Sequence, residues 1–408
     1  MVEPVGVYIS VPFCKAKCTF CNFASGVFGQ ERMQHYVDRL SVEIRGAHAA
    51  AEKIGASLSR AVDTIYFGGG TPSLLSAEQF AEIFRNLRGE FDFGADAEIT
   101  LECAPGQLAD ATLDELLRQG MNRISFGVQS FVDQEAAAVG RLHTQQQCEI
   151  EIARVRAAGV SEINVDLIAG LPHQTEQSWR YSVEQAIASG APHISVYLLE
   201  VDEHSRLGRE MLKQGSRYSA ANVPDEDQAA EWYQQACDLL REAGVDQYEI
   251  SNFSRPGHRS RHNLKYWLRQ PYIGFGLDAH SMLLADQDAL RFANTSDLDR
   301  YLGQGTEISP FQLLESEQDA PDGKVDLVGR NAAFEESLFL GLRLNEGVYL
   351  ETLRQQFGES LLRETMPALV EVRDAGLLEL NSDRMRLTPQ GRLVSNEVFS
   401  RLLIVSAA

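Results

Sequence analysis

Six short apolar runs rich in Val, Ile, Tyr and Phe recur through the first half of the chain: "GVYISVP" (6–12), "TIYFGGG" (64–70), "AEITLEC" (97–103), "RISFGVQS" (123–130), "EINVDLIAG" (162–170) and "HISVYLLEV" (193–201). Helical patterns lie between them, at 76–89, 110–120, 147–159 and 175–190, with apolar residues three or four apart and a Gly at or near the end. This βα rhythm constrains the fold more than any other feature, because strands joined through helices run parallel. The runs read as continuously apolar, which fits an α/β sheet buried on both faces. Such a sheet is an open doubly wound sheet or a barrel, and in both the ligands collect at the carboxyl ends of the strands. Cys14 stands after the first run, Gly68 to Thr71 end the second, Glu102 the third, Gln129 the fourth and Asp166 to Gly170 the fifth.

After residue 245 the rhythm gives way to "YEISNFSRPGHRSRHNLKYW" and "YIGFGLDAHS", then to a polar, acidic stretch at 313–326 that reads as a linker. The tail reads as helices followed by a short hairpin, as in a small winged-helix domain. Three regions are therefore expected: a core over 1–245, an extension over 246–312 and a C-terminal domain over 327–408. With 37 basic and 58 acidic residues the formal charge is -21, which repels phosphate backbones, so nucleic acid is not an expected partner. No run reaches the ~18 apolar residues that a spanning helix needs, and the chain is read as cytoplasmic. Oligomeric state is not legible.

Of six cysteines, Cys14, Cys18 and Cys21 fall within eight residues and Cys103, Cys148 and Cys237 are scattered, which is not a disulfide framework. Structural zinc wants four protein ligands, and no second Cys pair or loop His supplies the fourth. A cubane iron–sulfur cluster held by three thiolates instead leaves one iron open for a substrate or cosubstrate. "YFGGGTPS" (66–73) puts three glycines at a strand end, where backbone N–H groups can approach a ligand, and it lacks the Lys and Ser/Thr ending of a P-loop. "YIGFGLDA" (272–279) matches a dinucleotide pattern but has no clear βαβ setting, so it is not read as an NAD or FAD site.

The C-x3-C-x2-C spacing resembles the signature of the radical SAM superfamily, in which the open iron of a [4Fe-4S] cluster is chelated by S-adenosyl-L-methionine (SAM). The resemblance implies a partial (β/α)6 barrel carrying a C-terminal, mainly helical, winged-helix-like domain. It implies cluster ligation by Cys14, Cys18 and Cys21, with Phe20 shielding the cluster and adenine. Tyr8, Gly70, Thr71, Glu102, Gln129, Arg141 and Asp166 match SAM-contacting positions in the coproporphyrinogen-oxidising branch. There Glu102 would accept from the amino group, Arg141 pair with the carboxylate and Asp166 accept from the ribose. Cys103-Ala104 and Ala169 depart from the usual residues of those motifs.

Over nearly the whole chain the resemblance is to HemW-type haem chaperones, which look like the oxygen-independent coproporphyrinogen III oxidase. The oxidase continues its motif to a fourth cysteine where this chain has Phe23, and carries several dozen residues before the motif. Both features favour a chaperone that binds haem and hands it to acceptor proteins, respiratory and membrane-associated ones among them. Oxidative decarboxylation of coproporphyrinogen III is the alternative. "RHNLKYW" resembles the motif H-N-x-x-Y-W, which makes His262 the leading candidate for a haem contact, with His280 behind it. Tyr266 and Trp267 offer aromatic surface, Arg261 or Arg259 pair with propionates, and His143 supports the SAM pocket. Asp278 departs from the family's usual motif.

Overall fold

The structure is a computed structural model that describes residues 3–285, 288–303 and 325–403. Six strands follow the sequence order: β1 (Val5–Val11), β2 (Ala61–Gly69), β3 (Asp92–Cys103), β4 (Arg123–Gln129), β5 (Glu162–Ala169) and β6 (His193–Leu198). Each is parallel to the next. The expected helices are present at Ala77–Glu90, Asp110–Arg118, Gln145–Ala157 and Glu176–Ala188. Ser76 and Gln79, and likewise Thr144 and Gln147, form reciprocal capping boxes that fix where two of these helices start, each worth about 1 kcal/mol.

The sheet continues beyond both ends of this run. After β7 (Asp246–Gln247), β8 (Asn252–Ser254) pairs antiparallel with β6, and β9 (Tyr272–Phe275) pairs parallel with β1. Further out lie β10 (His280–Ala285), β11 (Asp288–Ala293) and β12 (Asp326–Val328). The order is β12-β11-β10-β9-β1-β2-β3-β4-β5-β6-β8-β7 among the described residues, so β1 and β6 each have two other neighbours. The acidic stretch read as a linker lies outside the described residues except for Val325 and Asp326.

The strands are two-faced. Val7, Ile9, Ile65, Phe67, Leu101, Ile124, Phe126, Val165 and Val196 join the helices in one apolar core. Their alternating neighbours, Tyr8, Thr64, Tyr66, Glu102, Ser125, Asn164, Asp166 and Ser195, face the opposite side. The expectation of continuously apolar strands is corrected here: one face packs on helices and the other surrounds a hydrogen-bonded polar interior. Burial on both sides is retained, but a network and a cavity occupy the place of a second helical layer.

The C-terminal region forms its own apolar cluster around Phe334, Leu338, Leu353, Leu369, Met385 and Val398, which also takes in Met282, Ala289 and Val328 of the sheet. Helices at Arg330–Gly341 and Leu350–Asp374 precede the expected hairpin, β14 (Leu378–Leu380) against β15 (Arg384–Leu387), and β13 (Val348–Tyr349) completes a three-stranded sheet. Among the described residues no helix is long and apolar enough to cross a membrane.

Candidate functional site

The cysteine loop is pinned at both ends by backbone. Cys14 N–H donates to Gly26 O at 2.8 Å, Gly26 N–H to Pro12 O at 2.9 Å, and Thr19 N–H to Val139 O at 3.0 Å. The glycine run closes from below, with Gly70 N–H on Val11 O at 2.8 Å and Thr71 N–H on Phe13 O at 2.7 Å. A Cβ on Gly70 would lie 2.7 Å from Phe13 O and 2.8 Å from Val11 O, so only glycine fits there. Burial pushes the Cys14 and Cys21 thiols up, against hydrogen bonds that favour the thiolates. Ligation of a metal group must therefore displace their protons.

Above the loop stand the ends of β3, β4 and β5. Tyr66 OH donates to Glu102 Oε1 at 2.9 Å. Burial pushes the Glu102 carboxyl up to about 7, and the nearby Asp166 adds to this, while Tyr66, the Gly69 N–H and Arg141 oppose it. Asp166 accepts from Ser125 Oγ at 3.0 Å and Asn164 Nδ2 at 2.7 Å. Burial raises its pKa as well, with Ser195, Ser125, Asn164 and Arg141 acting the other way. Arg141 donates to Cys18 Sγ at 3.5 Å and to Gly127 O, and occupies the space that a side chain at residue 127 would need.

All three cysteines, Phe20, Gly70, Thr71, Glu102, Gln129, Arg141 and Asp166 line one cavity of about 390 Å³. Two of its polar atoms are buried without a hydrogen-bond partner, Gln129 Oε1 and Arg141 Nε. Gln129 also has φ 70°, a left-handed conformation that costs a non-glycine residue about 1 kcal/mol. Orphaned polar atoms, a strained strand end and a glycine-only approach fit a bound polar molecule next to thiolate ligands. Among the described residues no three His, Cys, Asp or Glu side chains converge on a single-ion site. The thiols suit a group in which each binds a different metal atom.

The remaining expected residues lie elsewhere. Tyr8 does not line the cavity; its ring stacks 6.0 Å from that of Tyr66, its partner on the neighbouring strand, and 6.4 Å from that of His262. His262, Tyr266 and Trp267 sit on a short helix, Arg261–Trp267, applied to the polar face nearer the amino ends of the strands. Its first N–H groups, those of Arg261 and His262, donate to the Glu98 carboxylate at 3.1 and 3.0 Å. Both His262 ring nitrogens have protein partners, Thr64 Oγ1 at 2.9 Å and Tyr266 OH at 2.9 Å, and burial holds its pKa down to about 3. Trp267 lies under the Arg343 guanidinium, 4.4 Å from the ring centre, and its buried Nε1 has no partner. His280 is exposed at the start of β10, and His143 bonds to Val128 O at 3.1 Å.

Sequence reasoning missed Ser125, Tyr66 and Tyr197. Tyr197 lines the cavity beside Asp166 and Ser125 supports that carboxylate, while Tyr66 supports Glu102. For Tyr66 the signal was available, since it occupies the same strand face as Gly68, two residues on; Ser125 and Tyr197 had no such neighbour among the residues singled out from the sequence.

Comparison with known proteins agrees with this geometry. The model of the radical SAM superfamily matches residues 8–186, and that of the HemN C-terminal domain matches residues 330–394. The heme chaperone HemW of Lactococcus lactis is 30% identical over 402 residues, covering 98% of each chain. The chain belongs to the HemW family. The heme chaperone HemW of Escherichia coli is 31% identical, over 98% of this chain and 99% of its own length, and that of Bacillus subtilis is 31% identical over 97% and 98%. Among solved structures, coproporphyrinogen III oxidase (HemN) from Escherichia coli superposes with a TM-score of 0.80 over 98% of this chain and 90% of its own, at 23% identity, a likeness of fold. Membership of the HemW family extends across the 246–303 region and the C-terminal domain as well as the cysteine loop.

Proposed function

We propose that this protein is a haem chaperone that carries a [4Fe-4S] cluster on Cys14, Cys18 and Cys21 with SAM at its open iron. The observation that carries this reading is the single cavity joining the three thiols to Gly70, Thr71, Glu102, Gln129, Arg141 and Asp166, in a chain that HemW relatives match over 98% of its length. The bound group would supply one-electron redox chemistry and one vacant coordination position. The chain's own residues do the rest. Glu102 accepts from an amino group, Arg141 faces a carboxylate, Asp166 accepts hydrogen bonds from ribose hydroxyls, and Gln129 Oε1 supplies an acceptor that has no protein partner. The sheet around them is read as the partial (β/α)6 barrel of the superfamily.

For haem, the reading places the macrocycle against Tyr266 and Trp267, with His262 acting through its hydrogen bond to Tyr266 OH. Direct ligation by His262 would require its bonds to Thr64 and Tyr266 to break. Phe23 is 60% exposed and lines the cavity where the oxidase has its fourth cysteine, which favours transfer of haem over decarboxylation. Acceptor proteins, respiratory ones among them, complete the proposed role.

The test is anaerobic cluster reconstitution followed by haem titration, with the Soret band and coproporphyrinogen consumption measured together. A saturable Soret band without consumption is expected. Consumption with loss of two carboxyl groups would install the oxidase reading, and neither signal from a cluster-loaded protein would remove both.

A further inference from the structure

The sequence offers Arg259 and Arg261 for the carboxylates of a macrocycle, and in the fold both already have partners. Arg259 pairs with Glu346 at 2.7 Å, and Arg261 donates to Asp96 O at 2.7 Å and lies 3.4 Å from its carboxylate. Lys265 pairs with Asp63 at 2.8 Å and Arg269 with Glu336 at 2.8 Å. Each of these four cations therefore meets a carboxylate of the protein itself.

A fifth cation comes from the C-terminal region. Residues 343–345 run along residues 247–249: Asn345 N–H donates to Tyr248 O at 2.9 Å, its side-chain amide donates to Gln247 O at 2.7 Å, and Leu344 bridges to Glu249. This seam brings the Arg343 guanidinium over Trp267, 4.4 Å from the ring centre. Among the described residues the Arg343 side chain has no hydrogen bond and no carboxylate within ion-pair distance, and its Nε is buried. The Trp267 Nε1–H is likewise buried without an acceptor. Glu249 feels the Arg343 charge, but its own Oε2 has no partner and burial pushes its pKa up, so it does not neutralise the arginine. Two donors left unmet at one place call for an acceptor. A guanidinium stacked on an aromatic ring uses its flat face, which leaves its N–H edge free for a two-point carboxylate contact. Haem carries two carboxylates, and on a chain of net charge -21 a local cation decides where such an anion settles.

We propose that Arg343 is the carboxylate anchor of the haem site: a propionate of the macrocycle lying against Tyr266 and Trp267 is held by the Arg343 guanidinium and the Trp267 N–H. The inference rests on the haem reading above. It adds that the site is shared between residues 246–303 and the C-terminal region, with the arginine supplied by the latter. Leu268, the residue after Trp267, is 53% exposed, so apolar surface accompanies the anchor.

The test titrates cluster-reconstituted full-length protein with two probes, haem and haem dimethyl ester, in which both propionates are blocked, and follows the Soret band. The wild type should bind haem at least tenfold more tightly than the diester, and the gap should narrow as salt rises from about 50 to 500 mM. Arg343→Gln should lose at least tenfold for haem and stay within about twofold of the wild type for the diester. Arg343→Lys, which keeps the charge without the planar pair of donors, should fall between the two. Equal wild-type affinity for the two probes overturns the proposal. Equal weakening of both probes by Arg343→Gln also overturns it, because that is the signature of a loosened seam and not of a lost anchor. Should Arg343→Gln fail to fold, the wild-type comparison and Arg343→Lys decide the matter on their own. A wild type that binds neither probe would instead refute the underlying haem reading.

Discussion

Replacement of Glu102 by Gln separates the cost of the site from its use. Burial holds this carboxyl at about 7 where an ordinary one stands at 4.5, a difference worth roughly 3 kcal/mol. The sign follows from proton counts. The folded state keeps the proton more tightly than the unfolded state, so this stability is present below pH 4.5 and is lost as pH rises through 7. At pH 8 the protein without cluster or SAM then holds a buried anion opposed only by Tyr66, Gly69 and Arg141. The neutral, isosteric amide of Glu102→Gln still accepts from Tyr66 OH and carries no such penalty.

The variant should therefore be more stable than the wild type by up to about 3 kcal/mol at pH 8, nearly equal to it at pH 5, and a few degrees higher in Tm at the upper pH. SAM affinity of the reconstituted variant should fall at least tenfold, because the charged acceptor is gone. Chemical denaturation at a series of pH values, with calorimetric SAM titration, measures both. A variant less stable than the wild type at pH 8, or one with an unchanged pH slope, would refute the claim that Glu102 is a strained carboxyl.

The other predictions concern shape, strain and buried charge. Gly70→Ala should lose about 2 kcal/mol or more, because the new methyl meets two carbonyl oxygens, and iron per chain after reconstitution should fall with it. Gln129→Gly should stay within about 1 kcal/mol of the wild type, since relief of the left-handed backbone offsets the flexibility gained, while SAM binds about tenfold more weakly; denaturation and calorimetry check the pair. Lys265→Met breaks the buried ion pair with Asp63 at 2.8 Å and should cost about 3 kcal/mol; adding Asp63→Asn should restore most of the lost denaturation midpoint. His262→Ala removes both ring hydrogen bonds from a buried position and should cost about 3 kcal/mol, with haem uptake reduced and Soret position kept. A wild-type melt with no Soret band would make His262 an iron ligand instead.

Local signals read well along this chain, and relations across strands did not. The βα order, the six strands and four of the helices were legible because each is set by residues close together: an apolar run, a capping box, a terminal Gly. The helices Gln30–Arg45 and Glu226–Glu242 were not identified in advance. Cys14, Cys18 and Cys21 were legible from spacing, and Gly70, Glu102 and Asp166 from strand-end motifs. What no window of sequence carries is the register that sets Glu102 beside Ser125, and Gly127 beside Asp166. Reading the runs as uniformly apolar hid the same fact, since "ITLE" and "NVDL" each place a polar residue on every second position.

The helix Arg261–Trp267 is the strongest case. As a motif it reads as a ligand site, with a His, a Tyr and a Trp available to a macrocycle. In the fold, Glu98 accepts from its first N–H groups, Lys265 reaches across β1 to Asp63 and Pro4, and Thr64 takes His262. Gly6 leaves the space that Lys265 crosses, for a Cβ there would stand 2.7 Å from the Lys265 side chain. These partners lie far from the helix in sequence and none resembles a motif. The helix therefore closes the polar interior below Tyr66 and Glu102; its Trp267 meets the Arg343 guanidinium, and Arg269, just after the helix, pairs with Glu336. A ligand on Tyr266 or Trp267 would thus act on contacts that join the C-terminal region to the residues beneath Glu102, so the haem and SAM sites proposed above would share this helix as a structural element.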